Sequence, residues 1–264
     1  MYLQTYEHMN DKGTVLRFEK SSIYDGDGLR TVVFMKGCPL RCQWCSTPES
    51  HQKNVQTTLD GSITYGKEMT VEEIMVEVRK DIPFYFHSGG GLTVSGGEIL
   101  VQAEFVRHLL DRASWEGINT CIETSFCVEW EKVEPVLCCT DTAFVDLKIM
   151  DPKAHKYYTG ISNEHILENI KKAGAAKNGP KLIIRRPLIP GINDSLEELQ
   201  ALGEFLSKIP GVDHLQLLPY HRLGTDTYRK LGLPYQLMDV ETPTEEHMDW
   251  CVGITGKYIE TRLS

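Results

Sequence analysis

The sequence reads as an α/β protein, a partial barrel of six βα units, on two observations. Strand-like and helix-like patterns alternate along the chain, and polar residues recur at or near the C-terminal ends of the strands. Such alternation implies parallel strands joined by right-handed crossovers. The first strand pattern is 29–38 (LRTVVFMKGC); a helical pattern at 70–81 and a strand at 91–97 (GLTVSGG) follow. The series continues with helix 101–115, strand 118–125, helix 129–139, strand 142–150, helix 163–177, strand 181–189, helix 195–208, strand 213–220 and a last helix over 243–258. The clearest helix is DSLEELQALGEFLSKIPG: Asp194 or Ser195 can cap it, apolar positions recur at helical spacing, and Pro210-Gly211 stops it. Six strands can form an open doubly wound sheet or a partial barrel. Gly96-Gly97-Glu98, Glu123-Thr124, Asp146 with Lys148, Arg185 and Tyr220-His221 all fall near strand C-termini, which converge in a barrel, and this favours the barrel.

The 264 residues suffice for one large α/β domain or two small ones, and no linker divides them, so 1–264 is read as a single domain. Net charge is −9, which argues against a nucleic-acid backbone as main partner. No apolar run reaches membrane-spanning length, and MYLQTYEHMNDKG lacks a signal pattern. A soluble, cytoplasmic monomer is expected. Three of the eight cysteines cluster on one loop, which fits a metal site in a reducing compartment better than a disulfide framework.

That loop, KGCPLRCQWCSTPES (36–50), carries Cys38, Cys42 and Cys45 in the spacing C-x3-C-x2-C. Zinc is the plain alternative, but it wants a fourth ligand, and only His51 is close in sequence. Three thiolates suit a 4Fe–4S cluster that leaves one iron open to a small ligand. Cys121, Cys138 and Cys139 lie in core-like segments and read as small apolar fillers.

The cysteine spacing, with Trp44 before the third cysteine, resembles the radical S-adenosylmethionine (SAM) enzymes. SIYDGDGLRTVVFMKGCPLRCQWC is similar to the opening of the activating enzymes of glycyl radical enzymes, pyruvate formate-lyase activase among them. The likeness continues through SGGE, ETS, DLK, IIRRPLIPGIND and LLPYHRLG in the same order. It implies a radical SAM partial barrel with a 4Fe–4S cluster and SAM as cofactors. It also implies reductive cleavage of SAM to methionine and a 5′-deoxyadenosyl radical, which takes the α-hydrogen of a glycine in a partner glycyl radical enzyme. A flavodoxin- or ferredoxin-type reductant would supply the electron. Residues 46–95 contain no cysteine, so the ferredoxin-like insert of many activases is not expected.

The resemblance also assigns roles. Gly96, Gly97 and Glu98 would lie against the methionyl amino group, although an ordinary tight turn explains the glycines equally. Lys148, Arg185, His221 and Trp44 would bind SAM: Arg185 at its carboxylate, His221 near the ribose, Trp44 at the adenine. Glu123, Thr124 and Asp146 would hold a monovalent or divalent cation; a buried Asp146–Lys148 pair is the competing reading. Asp25, opening DGDG, would touch the substrate peptide. Arg185 and Arg186 are adjacent on a strand, so one should face the pocket and the other the helices. Asp27, Ser46, Thr47 and Ile99 depart from the usual family wording, three of them near the expected partner entrance.

Overall fold

The computed structural model describes residues 8–264; residues 1–7, which begin the segment lacking a signal pattern, lie outside it. The chain runs β1 (Lys12–Ser22), β2 (Arg30–Met35), β3 (Gln56–Thr57), β4 (Thr64–Tyr65), β5 (Lys67–Thr70), α1 (Val71–Arg79), α2 (Ile82–Ser88) and β6 (Gly91–Gly96). Then come α3 (Ala103–Trp115), β7 (Asn119–Thr124), α4 (Trp130–Leu137), β8 (Thr142–Asp146), α5 (Pro152–Thr159) and α6 (Glu164–Ala175). The rest is β9 (Lys181–Leu188), α7 (Leu196–Leu206), β10 (Val212–Pro219), α8 (Thr225–Lys230), α9 (Glu245–Thr255) and β11 (Thr261–Leu263).

Nine strands form one sheet in the order β11-β10-β9-β8-β7-β6-β2-β1-β5. The six expected strands, β2 and β6 to β10, are its contiguous parallel centre. β1 joins β2 antiparallel, β5 joins β1 antiparallel, and β11 extends the parallel set at β10. The sheet is open, with β5 and β11 at its edges, but it is not flat. Nη2 of Arg185, on β9, donates to the carbonyl of Tyr24 in the β1–β2 connection at 2.6 Å. β2 and β9 are four strand steps apart, about 19 Å across a flat sheet, farther than one arginine reaches. A single cavity is lined by both Phe34 of β2 and Pro219 of β10, the two ends of the parallel centre, so the sheet curls into a partial barrel with a concave face.

Local chemistry sets the helix starts. Thr70 and Glu73 form a capping box at α1: the Glu73 N–H donates to Thr70 Oγ1 at 3.1 Å and the Thr70 N–H to Glu73 Oε2 at 2.7 Å. α7 is capped by Ser195, whose Oγ accepts from the Glu198 N–H at 3.2 Å. Asp194 instead accepts from the Gly191 N–H. The main core lies between the sheet and its helices, and a second, smaller one gathers Leu40, Cys42, Trp44, Ile149, Ile189, Tyr220 and Leu237 around the cysteine loop. Buried Arg30 ties the N-terminal ends of three strands, donating to Thr93 Oγ1, Asn119 Oδ1 and the Leu92 carbonyl at 3.0, 2.7 and 2.6 Å.

Candidate active site

The concave face encloses a cavity of about 680 Å³. Its wall includes Cys38, Cys42, Cys45 and Trp44 from the loop after β2, Gly96 at the end of β6 and Gly97 after it, and Glu123 and Thr124 of β7. Asp146, Lys148, Arg185 and His221 complete the predicted set. Residues nearly 190 positions apart thus share one pocket because parallel strands deliver their C-terminal ends to one side.

The cysteine loop is fixed from beneath. The N–H of Gly37 donates to Ser50 O at 2.7 Å and that of Cys38 to His51 O at 3.1 Å. The N–H groups of Arg41 and Gln43 donate to the carbonyls of Thr159 and Tyr158 in α5, at 2.7 and 3.0 Å. The two glycines serve this loop. A Cβ on Gly97 would sit 2.4 Å from Gly37 O and 3.2 Å from Cys38 Cβ, and Gly96, at φ +122°, lies against the backbone of Met35. The close approach that requires glycine is therefore to the cysteine loop itself.

All three cysteines are free thiols. Burial pushes the Cys42 thiol up to about 12, with the Lys148 ammonium working against it, and burial raises Cys38 and Cys45 as well. Three thiolates here require a cationic group to sit among them. Among the described residues, the one set of three or more His, Cys, Asp or Glu ligand atoms lying within 4.8 Å of one another is His8, Asp11 and His108. The three sulfurs are more widely spread than that, wider than ligands around one tetrahedral zinc. Free thiols on one pinned loop, against an apolar wall, fit three corners of a cluster.

The charged residues are paired across the cavity floor. Lys148 Nζ donates to Asp146 Oδ2 at 2.6 Å. Burial opposes the Lys148 charge, but Asp146 and the Cys42 sulfur beside it raise its pKa above the ordinary lysine value. Arg185 lies over the Phe144 ring at 3.5 Å, donates through Nε to Gln216 Oε1 at 2.7 Å, and forms an ion pair with Glu123. Ser95 Oγ donates to the other Glu123 oxygen at 2.5 Å. Burial raises the Glu123 pKa while Arg185 pulls it down. Thr124 Oγ1 donates to Glu98 at 2.6 Å. The cation set Glu123, Thr124 and Asp146 is thus committed to protein partners, and the carboxylates are neutralised by Arg185 and Lys148.

Two other expectations, those for Glu98 and Cys138, need correction in position. Glu98 does not line the cavity: its carboxylate, 1% exposed, accepts from the N–H groups of Leu100 and Ser125 and the hydroxyls of Thr124 and Ser125, bracing the turn. Asp25 accepts from the Ser22 hydroxyl, and its neighbour Tyr24 lines the cavity. Cys138 is exposed rather than a core filler, whereas Cys121 is fully buried. Arg186 faces the helices, as its alternation with Arg185 requires, and pairs with Glu198 of α7. His221 stands at the cavity rim with its pKa lowered by burial, and Trp44 packs into the second core 6.4 Å from the Tyr158 ring.

Ser95 and Tyr24 are cavity residues that the sequence reading passed over. Ser95 had a signal: it stands two before Gly97 on one strand, hence on the same side. Cys127 packs against the second core with Cys38 and Cys45, and no spacing rule places it there.

Residues 32–205 match the model of the radical SAM superfamily. The chain belongs to the radical SAM superfamily. Within it, the chain is 39% identical to the (2S)-3-sulfopropanediol dehydratase activating enzyme of Klebsiella oxytoca, over 87% of this chain and 88% of that one. It is 37% identical to the pyruvate formate-lyase 1-activating enzyme of Escherichia coli K12, over 93% and 96%. This radical SAM chain therefore belongs among the activating enzymes of glycyl radical enzymes. The Klebsiella alignment spans 282 positions, more than the 264 residues here, so that relative carries segments without a counterpart in this chain. A crystal structure of a domain of a pyruvate formate-lyase-activating enzyme from Bacteroides vulgatus matches at TM-score 0.56 and 30% identity, covering 66% of this chain and 99% of that one. A radical SAM methyltransferase from Sphaerobacter thermophilus shares the fold at TM-score 0.63 and 14% identity, over 94% and 76%.

Proposed function

We propose that this chain activates a glycyl radical enzyme by taking the α-hydrogen of one glycine in that partner. The observation that carries the reading is the likeness of nearly the whole chain to activating enzymes of three different lyases or dehydratases, at 34–39% identity. When bound, the cluster and SAM supply one-electron chemistry: reductive cleavage of the sulfonium and a 5′-deoxyadenosyl radical.

The chain's own residues bind and orient. Cys38, Cys42 and Cys45 would hold the cluster by their three thiolates. Gly96 and Gly97 keep the cysteine loop in place, and Glu98 braces their turn. Lys148 and Arg185 offer positive charge toward the SAM carboxylate, exchanging part of their contact with Asp146 and Glu123. Trp44 and His221 flank the adenosyl group, and Tyr24 with Asp25 forms the peptide-facing loop. The chain works as a single domain with one cluster, as a cytoplasmic monomer reduced by a flavodoxin- or ferredoxin-type protein. Glycine suits the substrate position because lack of a side chain permits close approach.

The test is anaerobic incubation of the reconstituted, reduced protein with SAM and a candidate glycyl radical enzyme, followed by electron paramagnetic resonance. A glycyl signal that vanishes when the target glycine is changed to Ala is the expected result. SAM turnover with a small metabolite, and no radical on any such protein, would overturn the reading.

A further inference from the structure

We propose that the depression behind the cysteine loop is the docking surface for an acidic one-electron carrier protein; this rests on the function proposed above. SAM and the substrate glycine have to fill the concave cavity, so an electron donor must approach the loop from its other side. Gly37, directly before Cys38, marks that side. A methyl group there would lie 3.2 Å from Val101 Cγ1 and 3.4 Å from Lys53 Cβ. Val101 and Lys53 are walls of a second depression of about 560 Å³, outside the concave face. The Cys38 N–H is bonded to the His51 carbonyl, two residues before Lys53. The wall residues Val101 and Lys53 thus lie between a carrier seated here and Gly37, the neighbour of the first cluster cysteine.

The chemistry of the depression selects the partner. Lys12, Lys53, Arg107 and Lys132 surround it. Among the described residues none of the four is ion-paired with a carboxylate; Arg107 is hydrogen-bonded to His108 Nε2. Two carboxylates, Glu104 and Glu131, share the rim, leaving positive charge in excess within a chain of net charge −9. Unpaired cations around an opening steer an acidic surface into place and fix its orientation. The transfer is a single electron: the carrier is oxidised by one electron and the cluster reduced by one, with no proton or bond change at the interface.

The test uses the double variant Lys53→Glu/Lys132→Glu of the full chain, with an acidic flavodoxin and an acidic ferredoxin as probes. Binding is read by titration at several salt concentrations, alongside SAM cleavage driven by dithionite, which needs no docking surface. Binding of the preferred probe should weaken about tenfold or more and lose most of its salt dependence. Dithionite-driven cleavage and thermal melting should stay at wild-type values. Unchanged binding in the variant would overturn the proposal, as would wild-type protein that binds neither carrier. So would an equal loss from Arg41→Glu, at the exposed tip of the cysteine loop, with the double variant normal. Lack of SAM cleavage by the wild type with dithionite would strike the proposed function instead.

Discussion

Arg185 and Arg186 are neighbours on β9, both buried, both paired with a glutamate, and they live in different worlds. Arg185 is on the concave face, where Glu123 keeps 23% side-chain exposure to the cavity. Arg186, 0% exposed, is enclosed against α7, bonded to Glu198 at 2.5 Å and to the Asn193 carbonyl at 3.0 Å. On the helix side the ion pair completes a packed interior. On the concave side similar pairs line a space that a ligand can enter, so their partners are exchangeable. The lesson is that burial and pairing do not separate structural from functional charge. What separates them is whether an accessible cavity borders the pair.

The largest expected effect tests the concave face at its centre. Replacing Cys38, Cys42 or Cys45 by Ala should prevent normal cluster assembly and abolish SAM cleavage, with iron content and visible absorbance after reconstitution as the measurements. Full activity in a verified triple variant would break the assignment of the loop. Next is Gly97→Ala. The added methyl meets the Gly37 carbonyl at 2.4 Å, and backbone cannot yield as a flexible side chain does. The loop must shift, so cluster content should fall several-fold even though no ligand is altered. Gly253→Ala, in α9 with nothing within 4 Å of the new methyl, is the control for adding a methyl where no backbone stands in the way.

The arginines test the contrast directly. Arg186→Leu takes the cationic partner from Glu198, which keeps only the Met150 N–H, and leaves a buried carbonyl unpaired; it should cost roughly 3 kcal/mol of stability, the low end for breaking a buried pair. Arg185→Leu should cost less, because Glu123, with its pKa already raised by burial, can take a proton or water from the cavity. Its main effect should be weaker SAM binding. Denaturant melts and SAM titrations on both variants decide the matter, and equal stability losses with equal SAM affinity would erase the distinction.

The sequence exposed the parallel centre of the sheet because its strands are short apolar runs separated by helices with clear caps. The predicted strand 181–189 is observed as Lys181–Leu188, and helix 195–208 as Leu196–Leu206. Strand 142–150 stops at Asp146 because the chain then leaves the ladder, although Leu147 and Ile149 remain buried. β1 was not anticipated: its antiparallel pairing, with β2 and with the edge strand β5, belongs to no βα unit, and its second half is exposed. Motif order identified the cavity residues, but it could not say what each touches. Glu98 and Asp25 belong to the right segments, yet one braces a turn and the other binds Ser22. Side-chain partners depend on strand register and curl, which no local pattern specifies.

The smallest expected effect compares two histidines across the same divide. His221 stands at the cavity rim in an exposed stretch, whereas His155 on α5 is 0% exposed. The His155 Nδ1–H donates to the Ile161 carbonyl at 2.7 Å, and Nε2 is buried without a partner. Protonation would place a charge on that unpaired nitrogen, so burial lowers the His155 pKa. The sign follows by linkage. Between the unfolded value near about 6.5 and the lower folded value, the unfolded chain binds a proton that the folded chain does not. Stability is then full above the unfolded value and declines as pH falls toward the folded one. Melting temperature should therefore drop between pH 7.5 and 5.5, and His155→Gln should flatten part of that drop. Only part is expected, because His51 and His108 also have lowered pKa values through burial. Burial lowers the His221 pKa as well, so His221→Gln should flatten the slope in the same direction, but by less, because the ring stands in an exposed stretch at the cavity rim. A variant pair with the opposite ranking would place the titrating group at the cavity instead of in the packed layer behind it.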